Sequence, residues 1–498
     1  MTTAALYNDY VQKMQRLADV RRAHDVLQWD QETYLPRGGA HLRGQQLSTL
    51  QELAHGLFSE EALGTLLQEL LGTDDLSASE KRNVVLSWDD YAKNKKYTPG
   101  FVRRLSDQTN KAFHAWIEAR NENTFARFEK ELDALIQLKR EEADVLGYAG
   151  HPYNALLNEY EPGAAVSILD ELFQNLMPQL QTVLQRIAAR PQVDDSFLRQ
   201  SFPKEAQWAW SMDLLKSLGF DFERGRQDIS AHPFSTSFNT NDVRITTRID
   251  ETDFGNMTWS CIHEVGHALY EQGLPEAQYG LPLGEPCSYS IHESQSRLWE
   301  NHVGRGKPFW AAHYTPLQQR FPQFKSTTPE QFYAGINTVR PSLIRTEADE
   351  ITYHFHVYIR YELEKRLLDG SLATPAIPDY WAEQYKAWMN VTVPDDNQGC
   401  LQDVHWSHGS FGYFPTYSLG SFYAAQFYAQ AKKELPNLED EISSGGTASL
   451  LRWLRQGIHE KGRFFTSADL CQHLTGKPLN VSHFMDHVLE KYGLIYTL

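Results

Sequence analysis

The segment His263-Glu264-Val265-Gly266-His267 constrains this chain more than any other, because its chemistry works only if the segment is helical. On a helix, positions i and i+4 share a face, so both imidazoles can reach one metal ion while Glu264 stands beside a water held there. Phe254 to Gln272 supplies that helix. Met257, Cys261, Ile262, Leu269 and Tyr270 recur at mixed three and four spacings, Thr252 or Asp253 can cap the start, and Gly273 follows as a stop. Zinc accepts imidazole nitrogens and keeps one position open in catalytic sites, and a neighbouring carboxylate can then act as general base. The spacing implies a zinc hydrolase. The competing assignment is a solvated helix with two ordinary histidines; the other His-Glu pairs, His292-Glu293 and His459-Glu460, are not followed by a second His at the right distance.

A third ligand is needed. A metzincin would carry Gly at 270 and His at 273, whereas this chain has Tyr270 and Gly273, so that clan is excluded. The remaining source is a carboxylate from a later helix, and Ser290 to Gln295 opens such a helix, running on toward Val303. Glu293 is the first candidate, with Glu300 and Glu271 as substitutes. Against it, Ser290-x-x-Glu293 also matches a capping box, which would tie Glu293 to its own backbone.

Periodicity predicts a helix-dominated chain. Asp9 to Leu27, Leu42 to Leu57, Ala78 to Lys95, Pro99 to Arg120, Asn121 to Leu146, Ala165 to Ala189, Pro203 to Leu218 and Ser342 to Leu368 read as helices, and Phe234 to Asn239 with Val243 to Ile249 as a hairpin just before the metal motif. No Ser/Gly/Pro-rich linker, repeat or low-complexity tract appears, so residues 1–498 are expected to form one large domain. Within it, residues 1–146 would cap the cleft and residues 230–420 would hold the metal and substrate motifs. A formal net charge of −17 argues against a nucleic-acid partner. The four cysteines, Cys261, Cys287, Cys400 and Cys471, lack metal or disulfide spacing and read as buried thiols in a reducing compartment. With no apolar leader or membrane-length run, the expected location is the cytoplasm, with no membrane partner.

Six motifs in order carry a resemblance. They are His232-Pro233-Phe234, Asp242-Val243-Arg244-Ile245-Thr246, the metal motif, His292-Glu293-Ser294-Gln295, Ile344-Arg345-Thr346-Glu347-Ala348-Asp349, and Gly399 through Trp406 (GCLQDVHW). With Trp29 to Pro36 near the start, the chain resembles the carboxypeptidase Taq family of metallocarboxypeptidases along most of its length. The resemblance implies Glu293 as third ligand and one zinc per subunit, with cobalt or manganese as possible replacements. It further implies a mainly helical, gluzincin-type fold with a small sheet beside a deep groove, a homodimer, and removal of single residues from peptides with a free C-terminus.

Such an enzyme must hold a terminal carboxylate, and a guanidinium fork matches two oxygens. Arg345 is the first choice and Arg244 the second, although Asp349 at i+4 could simply pair with Arg345. The Gly399 to Gly420 segment reads as a loop presenting donors, with Tyr417 favoured for the oxyanion by analogy with related gluzincins and Tyr413, His405 and His408 as substrate groups. His232 either lines the cleft or is a core histidine. The rival functions are an oligopeptidase or endopeptidase of the related helical class, and a helical peptide-binding scaffold; an aminopeptidase is disfavoured because no G-x-M-E-N-like segment appears.

Overall fold

The computed structural model describes residues 2–498 and is mainly helical, with one three-stranded sheet among the described residues. It divides into two compact units. The first comprises Met1–Lys95, Asp194–Ile336 and Ala424–Leu479, and the second Lys96–Val193, Asn337–Tyr423 and Asn480–Leu498. The amphipathic periods become helices close to where they are expected, including Ala40–Ser59, Ala78–Asn94, Pro99–Glu122, Ala126–Leu146, Val166–Ala188 and Lys204–Ser217. The first helix is longer than its apolar pattern, Thr3–Thr33, because Trp29 continues the buried face past Leu27.

In the first unit, β1 (Gly225–Ile229), β2 (Ser235–Asn239) and β3 (Asp242–Thr247) are ordered β1-β3-β2, with β3 parallel to β1 and antiparallel to β2. The hairpin matches the sequence expectation. β1 does not follow from it, because Gly-Arg-Gln-Asp-Ile has no alternating apolar residues and is extended only by pairing. Its Arg226 lies opposite Arg244 of β3, and both guanidiniums stack on Trp29, Arg244 at 4.2 Å from the ring centroid. Tyr34, from the same N-terminal motif, donates to Asp228.

The metal-motif helix spans Phe254–Glu271. Asp253 caps it, accepting from the Gly255 N–H at 2.7 Å, and Phe254 is locked among Phe202, Phe321 and Phe324. Gly273 follows it, but as a packing device: a Cβ there would stand 2.4 Å from His459 Nδ1. Next comes Tyr289–Arg297, capped by Ser288, and then a π-helical segment, Leu298–Gly304, where an unbroken helix was expected. These helices meet backbone to backbone at Gly266, whose added Cβ would lie 2.5 Å from Ser296 Cα and 2.7 Å from the Gln295 oxygen.

In the second unit, Arg345 sits on a single 3-10 turn, Arg345–Glu347, and the helix expected from Ser342 starts only at Tyr353 and runs to Asp369. Asp349 stops it from starting earlier by accepting from the Arg340, Ile351 and Thr352 N–H groups. His354 and His356 are buried on this helix against Ser418 and Tyr385.

Gly266 yields the first prediction. Alanine is the better helix former by about 1 kcal/mol, but here its methyl meets backbone that no rotamer change can relieve, at about 1–3 kcal/mol or more. Gly266→Ala is therefore expected to lower the melting temperature and weaken metal binding together, measured by thermal melts and metal titration; a stabilised variant with full metal content would contradict it.

Candidate functional site

His263 and His267 project from one face of their helix, and Glu293 reaches toward both from the facing helix. Glu293 Oε2 lies 3.6 Å from His263 Nε2 and 3.4 Å from His267 Nε2. Donors on a tetrahedral zinc at about 2.0–2.2 Å are separated by about 3.3–3.6 Å, so Glu293 stands at that spacing from each imidazole, and the three ligand atoms all lie within 4.8 Å of one another. The donor chemistry also fits, since two imidazoles and one carboxylate are a catalytic zinc set.

The capping-box alternative for Glu293 does not hold. Ser288 caps the helix, and the Glu293 carboxylate instead accepts from Arg297 Nε at 2.7 Å and Ser296 Oγ at 3.0 Å. Burial opposes its ionisation, yet Arg297 and the two histidines hold the Glu293 carboxyl well below the usual range. The substitutes for third ligand serve elsewhere. Glu300, carried on the π-helical segment, lies 3.0 Å from His263 Nδ1 and between Arg297 and Arg305. Glu271 lies 2.8 Å from His292 Nε2.

Glu264 is buried beside the trio, and Ser235 of β2 bonds its carboxylate. Burial pushes it up to about 7 despite the His263 charge. For His267, burial and the neighbouring His292 imidazole push the ring down to about 3, leaving it neutral as a ligand must be.

Arg244 belongs to a different arrangement in the same unit. As alternation requires, it shares a face with Asp242, and the two form a bidentate pair with both bonds at 2.8 Å. Stacked between Trp29 and Phe238, it fastens the N-terminal helix to the sheet. Thr246 straps the chain by accepting from the Phe234 N–H. His232 is exposed, and its carbonyl accepts from Ser230 Oγ at 2.5 Å.

The second unit gathers Arg345, His405, Tyr413 and Tyr417. Arg345 is 6% exposed, and its partner is Asp403, not Asp349. Asp403 Oδ1 accepts from Arg345 Nε at 2.9 Å, and Oδ2 accepts from Arg360 Nε at 2.6 Å. Two buried guanidiniums against one carboxylate leave a net positive charge. Burial works against Asp403 ionisation, but the two arginines hold its carboxyl far below the usual range. Arg345 lies 4.8 Å from the Tyr417 ring centroid, and the Tyr417 hydroxyl is 3.1 Å from His405 Nε2. Burial, and then the Arg345 charge, push His405 down to about 3. Tyr413 packs edge-on to Tyr417. Tyr417 is not in a loop as expected; it occupies the first turns of the helix Phe414–Glu434, because Phe414-Pro415 initiates a helix inside the Gly- and Tyr-rich segment. His408 is exposed and packs on Phe113.

Two residues outside the sequence candidates hold this cluster. Arg360 and Glu364 are one turn apart on the helix Tyr353–Asp369. Arg360 grips Asp403, while Glu364 accepts from Trp406 Nε1 at 2.8 Å, the Gly412 N–H at 2.9 Å and the Tyr153 hydroxyl. Both lie in a helix that reads as core, so only the tertiary pairing distinguishes them.

The family model for the carboxypeptidase Taq (M32) metallopeptidase matches residues 9–492. Carboxypeptidase 1 of Bacillus subtilis is 36% identical over 493 residues, 98% of each chain. A solved structure designated CHT is 56% identical, with a TM-score of 0.97 over 98% of this chain and 99% of that one. The M32 carboxypeptidase from Deinococcus radiodurans is 37% identical, with a TM-score of 0.97 over 99% of this chain and all of that one.

Burial raises the Glu364 carboxyl to about 7, outweighing its three donors and Lys139. The unfolded chain then releases this proton near pH 4.5 and the folded protein near 7, so the group's contribution to stability falls as pH rises through that window, by at most about 3 kcal/mol. Melting temperature against pH should therefore decline less steeply between about 4.5 and 7 for Glu364→Gln than for the wild type; parallel curves would show that the carboxyl is not perturbed.

Proposed function

This chain belongs to the carboxypeptidase Taq (M32) family and is a metallocarboxypeptidase, and from that premise we propose a zinc-dependent enzyme that removes single residues from the C-terminus of peptides. The observation that carries the metal assignment is the convergence of His263, His267 and Glu293, with Glu293 3.6 and 3.4 Å from the two imidazoles, the spacing of donors on one tetrahedral ion. Zinc bound there supplies Lewis acidity and makes water a nucleophile near neutral pH, and cobalt or manganese suits the same donors.

Glu264 takes the proton of the attacking water on its carboxylate and then delivers it to the amine nitrogen of the leaving residue. Its burial favours proton retention between these two transfers. Arg345 holds the terminal carboxylate of the substrate. Asp403 Oδ1 holds Arg345 Nε at 2.9 Å and Nη2 at 2.8 Å, and Nη1 donates to the Tyr353 hydroxyl at 3.4 Å, so the guanidinium is fixed in orientation and meets the substrate with the N–H bonds left over. The net positive charge of the Arg345–Asp403–Arg360 group suits an anion. Tyr417 serves as oxyanion donor: its hydroxyl lies 3.1 Å from His405 Nε2, and a His405 Nε2–H donated to the phenol oxygen orients that hydroxyl. Tyr413 and His405 shape that group. Arg244, His232 and His408 are assigned supporting contacts only. A homodimer in the cytoplasm completes the proposal, consistent with four buried free thiols and the resemblance to the family. Among the described residues no helix is long and apolar enough to cross a membrane.

Digestion of a decapeptide followed by mass spectrometry tests the cleavage mode. Products should shorten one residue at a time from the C-terminus, with free amino acids present from the start; internal fragments as first products would mark an oligopeptidase. Glu264→Gln should retain metal and lose activity by at least about 10²-fold, whereas His263→Ala should lose metal. Near-normal turnover by Glu264→Gln would remove the general-base role. Arg345→Ala should raise KM and lower kcat/KM for free-carboxylate peptides while leaving the poor hydrolysis of amidated ones almost unchanged. Equal losses on both substrates would assign Arg345 to structure alone.

A further inference from the structure

The two ligand histidines are the same residue type on one helix, yet different groups stand behind them. His263 Nδ1 faces the carboxylate of Glu300 at 3.0 Å, the usual support for a metal-bound imidazole. His267 Nδ1 faces another imidazole: His292 Nδ1 is 2.5 Å away, and His292 Nε2 is 2.8 Å from Glu271 Oε1. Ser237 of β2 in turn bonds the Glu271 carboxylate. His292 immediately precedes Glu293, and Glu271 lies one turn beyond His267, so the chain of bonds closes across both metal-binding helices.

Hydrogen positions follow from the ligand role. A ligating His267 offers its Nε2 lone pair and therefore carries its hydrogen on Nδ1. That hydrogen needs an acceptor, and the atom facing it is His292 Nδ1. His292 then carries its own hydrogen on Nε2, where Glu271 Oε1 accepts it. Turning the His292 ring over would present a carbon to both of these partners. The arrangement thus permits a single tautomer and a single orientation for each ring.

From this geometry, and on the metal-centre assignment above, we infer that His292 and Glu271 are positioning residues that set the ring orientation and tautomer of His267 and thereby the metal affinity of the site. The histidine of the His292-Glu293-Ser294-Gln295 motif acquires a role of its own, separate from that of the ligand beside it. Groups of this kind change metal affinity by about 10–100-fold when removed.

Zinc affinity of the apo protein, measured by competition with a chromogenic chelator, tests the inference without reference to activity. The variants are His292→Phe, His292→Asn, Glu271→Leu and His263→Ala, with a melt of each apo form to establish folding. His292→Phe should weaken zinc binding by about 10–100-fold, and Glu271→Leu by less. His292→Asn, whose Oδ1 can accept from His267 Nδ1–H, should restore binding to within a few-fold of wild type. Wild-type affinity in His292→Phe, with affinity lost in His263→Ala, would overturn the inference and leave the metal centre standing. Wild-type affinity in His263→Ala as well would remove the metal-centre assignment itself. If His292→Phe does not fold, Glu271→Leu decides: unchanged affinity there overturns the proposal, and weakened affinity supports it.

Discussion

The near-contact of two helix backbones at Gly266 governs the first unit. With no side chain at that position, the metal-motif helix lies against Ser296 and Gln295, close enough for Glu293 to come within 3.4–3.6 Å of the two histidine Nε2 atoms. A carboxylate side chain has a short reach, so an extra ångström between the helices would take it out of range of one histidine. The aromatic group around Phe254 and the Asp253 cap fix where the helix starts, and the Gly266 contact fixes how near its middle comes to its partner. The glycine inside the metal motif is therefore as much a part of the site as the residues that bear donor atoms.

Both units solve the problem of buried charge in the same way, with opposite assignments. In the first, Arg297 and Arg305 neutralise Glu293 and Glu300, so the carboxylates face the site and the guanidiniums orient them. In the second, Asp403 lies between Arg345 and Arg360, and a guanidinium is the group proposed to meet the ligand. Burying any of these charges alone would be prohibitive, and a compensated group is tolerated only with good geometry. The same desolvation raises Glu264 and Glu364, outweighing His263 beside the first and Lys139 beside the second.

Much of the first unit is legible in the order of its residues. The i, i+4 spacing of His263 and His267, with Glu264 between them, requires a helix and is found in one. Across both units most long amphipathic periods become helices near their expected ends, and the four cysteines are buried thiols as their spacing implies. The failures share a cause, which is that pairing and packing override local pattern. β1 has no pattern of its own and exists by pairing with β3. The π-helical segment has no marker in its composition, and its Gly304 lies where a Cβ would stand 2.9 Å from Ile262. Arg345 is spaced to pair with Asp349 four residues along a helix, but no helix forms there, because Asp349 caps the turn that precedes one.

Residue order alone settles which chemistry is open to this chain. Local spacing on a helix decides which side chains share a face, and residue type decides which atoms donate, accept or bind metal. Glu293 ranks ahead of Glu300 and Glu271 at that level but is not separated from them, since each is a carboxylate a suitable distance along the chain. Packing of the helices separates them into a donor facing both Nε2 atoms, a support for His263 and the end of the His292 chain. Separation along the chain carries no information about which of several like charges meets a given imidazole; that depends on the distance between helix axes and on which guanidinium neutralises which carboxylate.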